Sequence, residues 1–318
     1  MTEQQPMLSR VADSLYWMSR YLERAEHTAR LINVHLNNML EIEHSREADR
    51  LQRLLDTLNM DTDNLASDDV MQYLVFDNDN SASIAATVAS ARENARQVRD
   101  QFSSEMWTQL NKLYLQVQHA DTTRLWYDSP HNYLTRILDG SHLFQGVTDA
   151  TMNHNQGWQF IQIGRYIERA LDLLILLDVH FGEVPTGEHD ISTEHYFDLV
   201  GTLKSVSAFE AYCKVYNPNV RSDSIIEFLL FNQEFPRSLR FCIDNLLVAL
   251  NTLADATGRT RNAKLYRLSG RLQSNLSFDE IADIDNLPTY IDNIKQQIYQ
   301  IHDTLYDTYI SYTIETAL

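Results

Sequence analysis

The stretch Leu8–Leu36, LSRVADSLYWMSRYLERAEHTARLINVHL, decides how the rest of the chain is read. Its apolar positions Leu8, Val11, Leu15, Leu22, Ala25, Ala29, Ile32 and Leu36 are three, four or seven residues apart. That spacing is one seam of a long amphipathic helix. With Arg20 at zero and about 100° per residue, Glu23, Arg24 and His27 fall on one stripe, roughly opposite Leu22, Ala25 and Ala29. Tyr16, Trp17, Leu31 and Val34 share the charged side. A helix apolar on both sides sits between layers, so its charges are expected to be partly buried, and buried charges must be paired or bind something.

Outward from this helix the pattern continues. Ile84, Val88, Ala91, Ala95, Val98 and Phe102 form a second seam, and 158–182 reads as a third long helix ending near Gly182. Pro130, Pro236 and Pro288 fall where a first helical turn tolerates proline, and Gly140, Gly182, Gly258 and Gly270 are expected at helix ends. Segments 59–68, 120–130, 183–192 and 216–222 read as loops. Ile291, Ile294, Ile298 and Ile301, alongside Tyr290, Tyr299, Tyr306, Tyr309 and Tyr312, predict a C-terminal helix on the bundle, with an oligomer or partner interface as the alternative. The 318 residues hold 9 Gly and 6 Pro, against about 22 and 16 at average usage. So few turn residues exclude a Rossmann fold, a P-loop and a β-sandwich.

The chain also repeats itself. At offset 145, Arg20, Tyr21, Glu23, Arg24, Ala25, Leu31, Val34 and His35 match Arg165, Tyr166, Glu168, Arg169, Ala170, Leu176, Val179 and His180. At offset 141, Ser81, Ser83, Ile84, Glu93, Arg96 and Arg99 match Ser222, Ser224, Ile225, Glu234, Arg237 and Arg240. The expected fold is all-α, a multi-helix bundle of two pseudo-repeated halves, 1–150 and 151–318, packed into one body.

Net charge is −18, which argues against nucleic acid and anionic lipid as partners. No run is apolar enough to span a bilayer, and the N-terminus lacks an apolar signal core. Cys213 and Cys242 form no disulfide framework, so a cytoplasmic location is expected. Within that acidic chain, Arg20, Arg24, Arg96, Arg99, Arg165, Arg169, Arg237 and Arg240 face only Glu23, Glu93, Glu168 and Glu234, plus Asp172. This local cationic excess suits a carboxylate or phosphate. Glu23 and Glu168 are expected to pair with Arg20 and Arg165 of their own helices at i, i+3. Arginine neighbours should keep the carboxylates ionised, which fits binding better than acid catalysis.

His35 and His180, equivalent under the repeat, are candidates for an acid/base role, with satisfied interior histidines as the alternative. Glu41–His44 is a single Glu-x-x-His motif, and a di-iron bundle needs two, so no metal or cofactor is expected.

The stretches MLSRVADSLYWMSRYLERAEHTARL (7–31), SARENARQVRDQFSSEMW (90–107), TMNHNQGWQFIQIGRYIERAL (151–171) and FNQEFPRSLRF (231–241) resemble the alpha-E family, a bacterial helical domain named for its Glu-Arg motif. The motif maps to Arg20, Glu23, Arg24 and to Arg165, Glu168, Arg169. The residue before the first motif is Ser19 where the family often has Gly; Gly164 keeps the pattern. The resemblance implies partners: circularly permuted ATP-grasp ligases and transglutaminase-like proteins, in a system that forms or modifies peptide amide bonds. The function expected is a non-catalytic binding or accessory protein with an Arg/Glu-rich interior site for an anionic ligand. The alternatives are an enzyme of amide chemistry using the same cluster and a purely structural Arg/Glu lattice.

Overall fold

The computed structural model describes residues 7–41, 47–60, 67–118, 122–182, 193–217, 220–258 and 263–311, and among them there is no strand. Its helices are α1 (Ser9–Glu41), α2 (Glu47–Thr57), α3 (Ser67–Val75), α4 (Ile84–Gln97), α5 (Ser104–Gln118), α6 (Thr122–Asp128) and α7 (Pro130–Thr151). There follow α8 (Gln156–Phe181), α9 (Thr193–Ser205), α10 (Phe209–Tyr216), α11 (Ser222–Phe231), α12 (Leu239–Thr257), α13 (Ala263–Phe278) and α14 (Leu287–Leu305). Among the described residues no helix is long and apolar enough to cross a membrane.

Every residue of the α4 seam is buried, as are Ile291, Ile294, Ile298 and Ile301 of α14. Helix α8 is so apolar that nearly its whole circumference is covered, which makes it the central rod of the molecule. Helices α1, α4, α5 and α7 each lie against the next, and α7 closes back on α1. Helices α8, α12, α13 and α14 adjoin one another in the same way, with α14 closing on α8. The two rings meet where α1 runs along α8, while α2 leans on α8 and α9 on α1.

Several local expectations need correcting. Residues 122–128, read as loop, form α6. Gly140 and Gly270 lie inside α7 and α13 rather than at their ends; Gly140 is a packing site, where a Cβ would come 2.9 Å from Leu113. Gly258 does stop a helix, with φ +59° at the C-cap of α12. Pro130 and Pro288 lie in first turns, but Pro236 belongs to the turn before α12. His44, His119, His189, Tyr312 and segments 61–66 and 183–192 lie outside the described residues.

The offset-141 matches do not occupy equivalent places. Helix α4 lies along α1, but the helix along α8 is α12, and α11 touches α8 only at its margin. Two serine caps are alike in form. Ser83 accepts from the Ala86 N–H and donates to the Asp77 carbonyl. Ser238 accepts from the Phe241 N–H and donates to the Asn232 carbonyl. Both hydroxyls thus cap a helix and pin the turn six residues earlier, at an offset of 155 rather than 141.

Candidate functional site

Helices α1 and α8 run side by side in the same direction. The Met7 N–H donates to Gln156 Oε1 at 3.0 Å, Ser19 Oγ donates to the Ile161 carbonyl at 2.7 Å, and His35 and His180 line one cavity further along. The close approach depends on Gly164, where a Cβ would stand 2.5 Å from the Tyr16 carbonyl oxygen. Ser19, the departure from the family pattern, spends its hydroxyl across this same seam.

This parallel pairing decides where the Glu-Arg motifs go. Adjacent residues on a helix diverge by about 100°, so a Glu and the Arg after it cannot meet each other. They meet the other helix instead. Arg169 grips Glu23 with two parallel bonds, Nε–Oε1 at 2.6 Å and Nη2–Oε2 at 3.0 Å. Arg24 binds Glu168 Oε1 at 2.6 Å and Arg20 Nε binds Glu168 Oε2 at 2.5 Å. The expected pairs within one helix, Glu23 with Arg20 and Glu168 with Arg165, do not form. Arg20 also lies over Trp17, 4.7 Å from the ring centroid, and donates to the Tyr16 hydroxyl at 3.1 Å.

A third carboxylate, Glu26, extends the network and is wholly buried. Arg237 reaches it at 2.5 Å and also approaches Glu23 at 3.3 Å. Arg30 binds Glu26 from the next turn of α1, and His142 of α7 stands 3.5 Å away. Burial works to raise the Glu23 carboxyl, but Arg169 and Arg237 outweigh it and hold it below the ordinary carboxylate range. Glu26 is held well below that range, because Arg237, the His142 hydrogen bond and Arg30 overcome its burial. Asp172 goes the other way: burial and the neighbouring Glu168 push its carboxyl well above its usual value.

Arg165 is the odd member. Its motif counterpart Arg20 is bound to Glu168, whereas Arg165 is half-buried and donates to Gln162 Oε1 at 3.2 Å. No carboxylate of the described residues lies within ion-pair distance of it. Burial and the nearby Arg169 lower its pKa. Arg240 differs from it: its Nε is buried without a hydrogen-bond partner, but Asp244, one turn on, is within ion-pair distance at 3.9 Å.

The remaining candidates lie elsewhere. Glu93 and Arg96 pair with each other on the exposed side of α4. Arg99 rests against Phe102 and Trp107, and Glu234 is exposed in the turn before α12. They were expected inside because the offset-141 match set them beside the motif helices. His35 and His180 do come together, but about 18 Å along α1 from Glu23, at 1.5 Å per residue. They therefore share no chemistry with the Arg/Glu network. The sequence reading passed over Glu26, Arg30 and His142. Glu26 and Arg30 carried a signal, their i, i+4 spacing; His142, from a distant helix, carried none.

Among the described residues no three His, Cys, Asp or Glu side chains gather closely enough to hold a metal ion. Cys242 is buried and Cys213 half-buried, and they are not bonded to each other.

Residues 7–310 match the model of the Alpha-E family, described as a predicted alpha-helical domain with a conserved ER motif. The chain is 26% identical over 287 residues to the uncharacterized protein Mb2597 of Mycobacterium bovis and to the uncharacterized proteins MT2643 and Rv2567 of Mycobacterium tuberculosis. The alignment covers 80% of this chain and 31% of each relative, so the chain spans about a third of their length. No solved structure matches it.

Proposed function

The chain belongs to the Alpha-E family, and from that premise we propose that it is a non-catalytic binding and accessory protein. It serves a peptide-modifying system of the ATP-grasp and transglutaminase-like kind, and it holds the anionic end of its ligand at Arg165. The observation that carries this reading is the uneven spending of charge. Arg20, Arg24, Arg30, Arg169 and Arg237 are bound to Glu23, Glu26 and Glu168. Arg165, beside them, donates to the Gln162 amide oxygen and makes no ion pair among the described residues, with Glu23 and Asp149 acting on it only from a distance. A half-buried guanidinium with no directly paired carboxylate is unfavourable, and a carboxylate or phosphate relieves it through two parallel hydrogen bonds.

In this reading the paired residues are the frame and Arg165 is the contact. The halves 1–150 and 151–318 are copies of one unit. The like order of the two helix rings and the matching caps at Ser83 and Ser238 support that duplication. The relatives' greater length supports a module that works beside other sequence. The distance of His35 and His180 from the network weighs against an enzyme using both. Free Cys213 and Cys242 fit a reducing cytoplasm.

The test is mass spectrometry of small molecules retained by the purified chain, together with capture of its cellular partner, for wild type and Arg165→Met. A carboxylate- or phosphate-bearing molecule retained by wild type and lost from the folded variant is the expected result, with a ligase-type protein captured. Equal retention by both overturns the role of Arg165. Neither ligand nor ligase leaves the Arg/Glu lattice as a structural device only.

A further inference from the structure

At the other end of the α1/α8 pair, α2 and α9 close over a cavity of about 60 Å³ lined by His35, His180, Arg50, Arg53, Asp198 and Thr202, among others. We infer that this cavity is a second binding site, independent of Arg165, for one compact tetrahedral oxyanion of the phosphate class, free or as the terminal phosphoryl group of a larger molecule.

The donors are placed and partly unspent. Arg50 is 9% exposed and binds Asp198 Oδ1 through Nε at 3.2 Å. Its Nη2 is buried with no hydrogen-bond partner among the described residues. Arg53 Nη1 approaches the other Asp198 oxygen at 3.5 Å. Among the described lining residues, two guanidinium groups therefore face one carboxylate. Burial, together with Arg50 for His35 and Arg53 for His180, pushes both imidazoles down to about 4, so both are neutral at pH 7. The net positive charge of the lining thus comes from the arginines.

The hydrogen-bond network also sets the form of the anion. The Thr202 hydroxyl donates to the Asp198 carbonyl at 3.0 Å, so its oxygen accepts from His180 Nδ1, 3.1 Å away. That assignment leaves His180 Nε2 as an acceptor. A site with cationic donors and one bare imidazole nitrogen suits an oxyanion that still carries a proton, such as hydrogen phosphate. The size agrees: about 60 Å³ exceeds the roughly 10–15 Å³ that a single water needs, so a small polyatomic anion can enter. The site draws on residues of both 1–150 and 151–318, since α1, α2, α8 and α9 all line it.

The experiment follows the imidazole ¹⁵N signals of the full chain at pH 7 as inorganic phosphate is added. Saturable shifts of His35 and His180 are expected, with the Kd at least tenfold weaker in Arg53→Met and unchanged in Arg165→Met. Arg53 is chosen because it is partly exposed and Asp198 keeps Arg50. Thr202→Val, nearly isosteric, gives a second check: it removes the Nδ1 acceptor of His180 and is expected to weaken phosphate several-fold. Methyl phosphate binding as well as phosphate identifies a terminal phosphoryl site, and much weaker binding identifies free phosphate. Acetate binding as tightly as phosphate overturns the tetrahedral assignment. Absence of saturable shifts in either histidine, or equal Kd values in wild type, Arg53→Met and Thr202→Val, overturns the site. Because Arg165 lies outside it, either site can fail without the other.

Discussion

Removing the charge of Glu23 leaves Arg169 without its carboxylate in the interior and Arg237 with Glu26 alone. Breaking a buried pair from one side costs about 3–5 kcal/mol, so Glu23→Gln is expected to lower stability by that amount in urea unfolding. Glu93→Gln, at an exposed and solvent-screened pair, is expected to leave the urea midpoint almost unchanged. Arg165→Met should cost far less than Glu23→Gln in the same assay, because the guanidinium it removes donates to the Gln162 amide oxygen and breaks no direct ion pair. Gly164→Ala forces a Cβ against the Tyr16 carbonyl and is expected to cost about 1–3 kcal/mol through the shift it demands. The importance of Glu23, Glu168 and the motif arginines was legible in their repetition on a two-sided apolar helix. Their true partners were not, since a helical wheel places a residue on a face without saying which neighbour covers that face.

Among the elements, caps carried more of the architecture than identities did. The Ser83 and Ser238 hydroxyls each satisfy a free N–H of a helix and tie down the preceding turn. Ser83→Ala and Ser238→Ala are each expected to cost about 1–2 kcal/mol, read from urea midpoints. Ser81→Ala and Ser222→Ala, the pair aligned at offset 141, should cost much less, since Ser81 is exposed and α11 has no side-chain cap hydrogen bond. The long helices α1 and α8 were legible because many turns repeat one seam. Helix α6, with seven residues, was not, because two turns of sequence give too few periods to tell a helix from a loop.

Over the whole molecule, proton uptake links three buried or half-buried imidazoles to stability. His27, His35 and His180 each have a folded pKa lowered to about 4, burial being the main cause. Their unfolded value is about 6.5, so the unfolded chain binds more protons between those limits. Stability from these groups is therefore fully present above about pH 6.5 and is lost as pH falls toward 4, by about 1.4 kcal/mol per histidine per pH unit. Glu23 and Glu26, whose folded values are depressed, add a further loss as pH falls below about 4.3. Urea midpoints measured between pH 7.5 and 4 check the steep histidine window. The shared α1/α8 seam also predicts one cooperative transition, with circular dichroism and tryptophan fluorescence coinciding. Separate pieces 1–150 and 151–318 should each fail to fold, since each would expose the seam.

The sequence alone determined an all-helical chain, its two longest rods and the motif residues that had to be buried, because periodicity and the cost of burying charge act locally along a helix. Only the tertiary structure decided that α1 and α8 lie parallel, so that each Glu meets the other helix's Arg, that Arg237 and Glu26 join them while Glu93, Arg96 and Glu234 face outward, and that His35 and His180 meet at a separate cavity. Those outcomes depend on which faces of distant segments come together, and the spacing of residues within one helix contains no information about that choice.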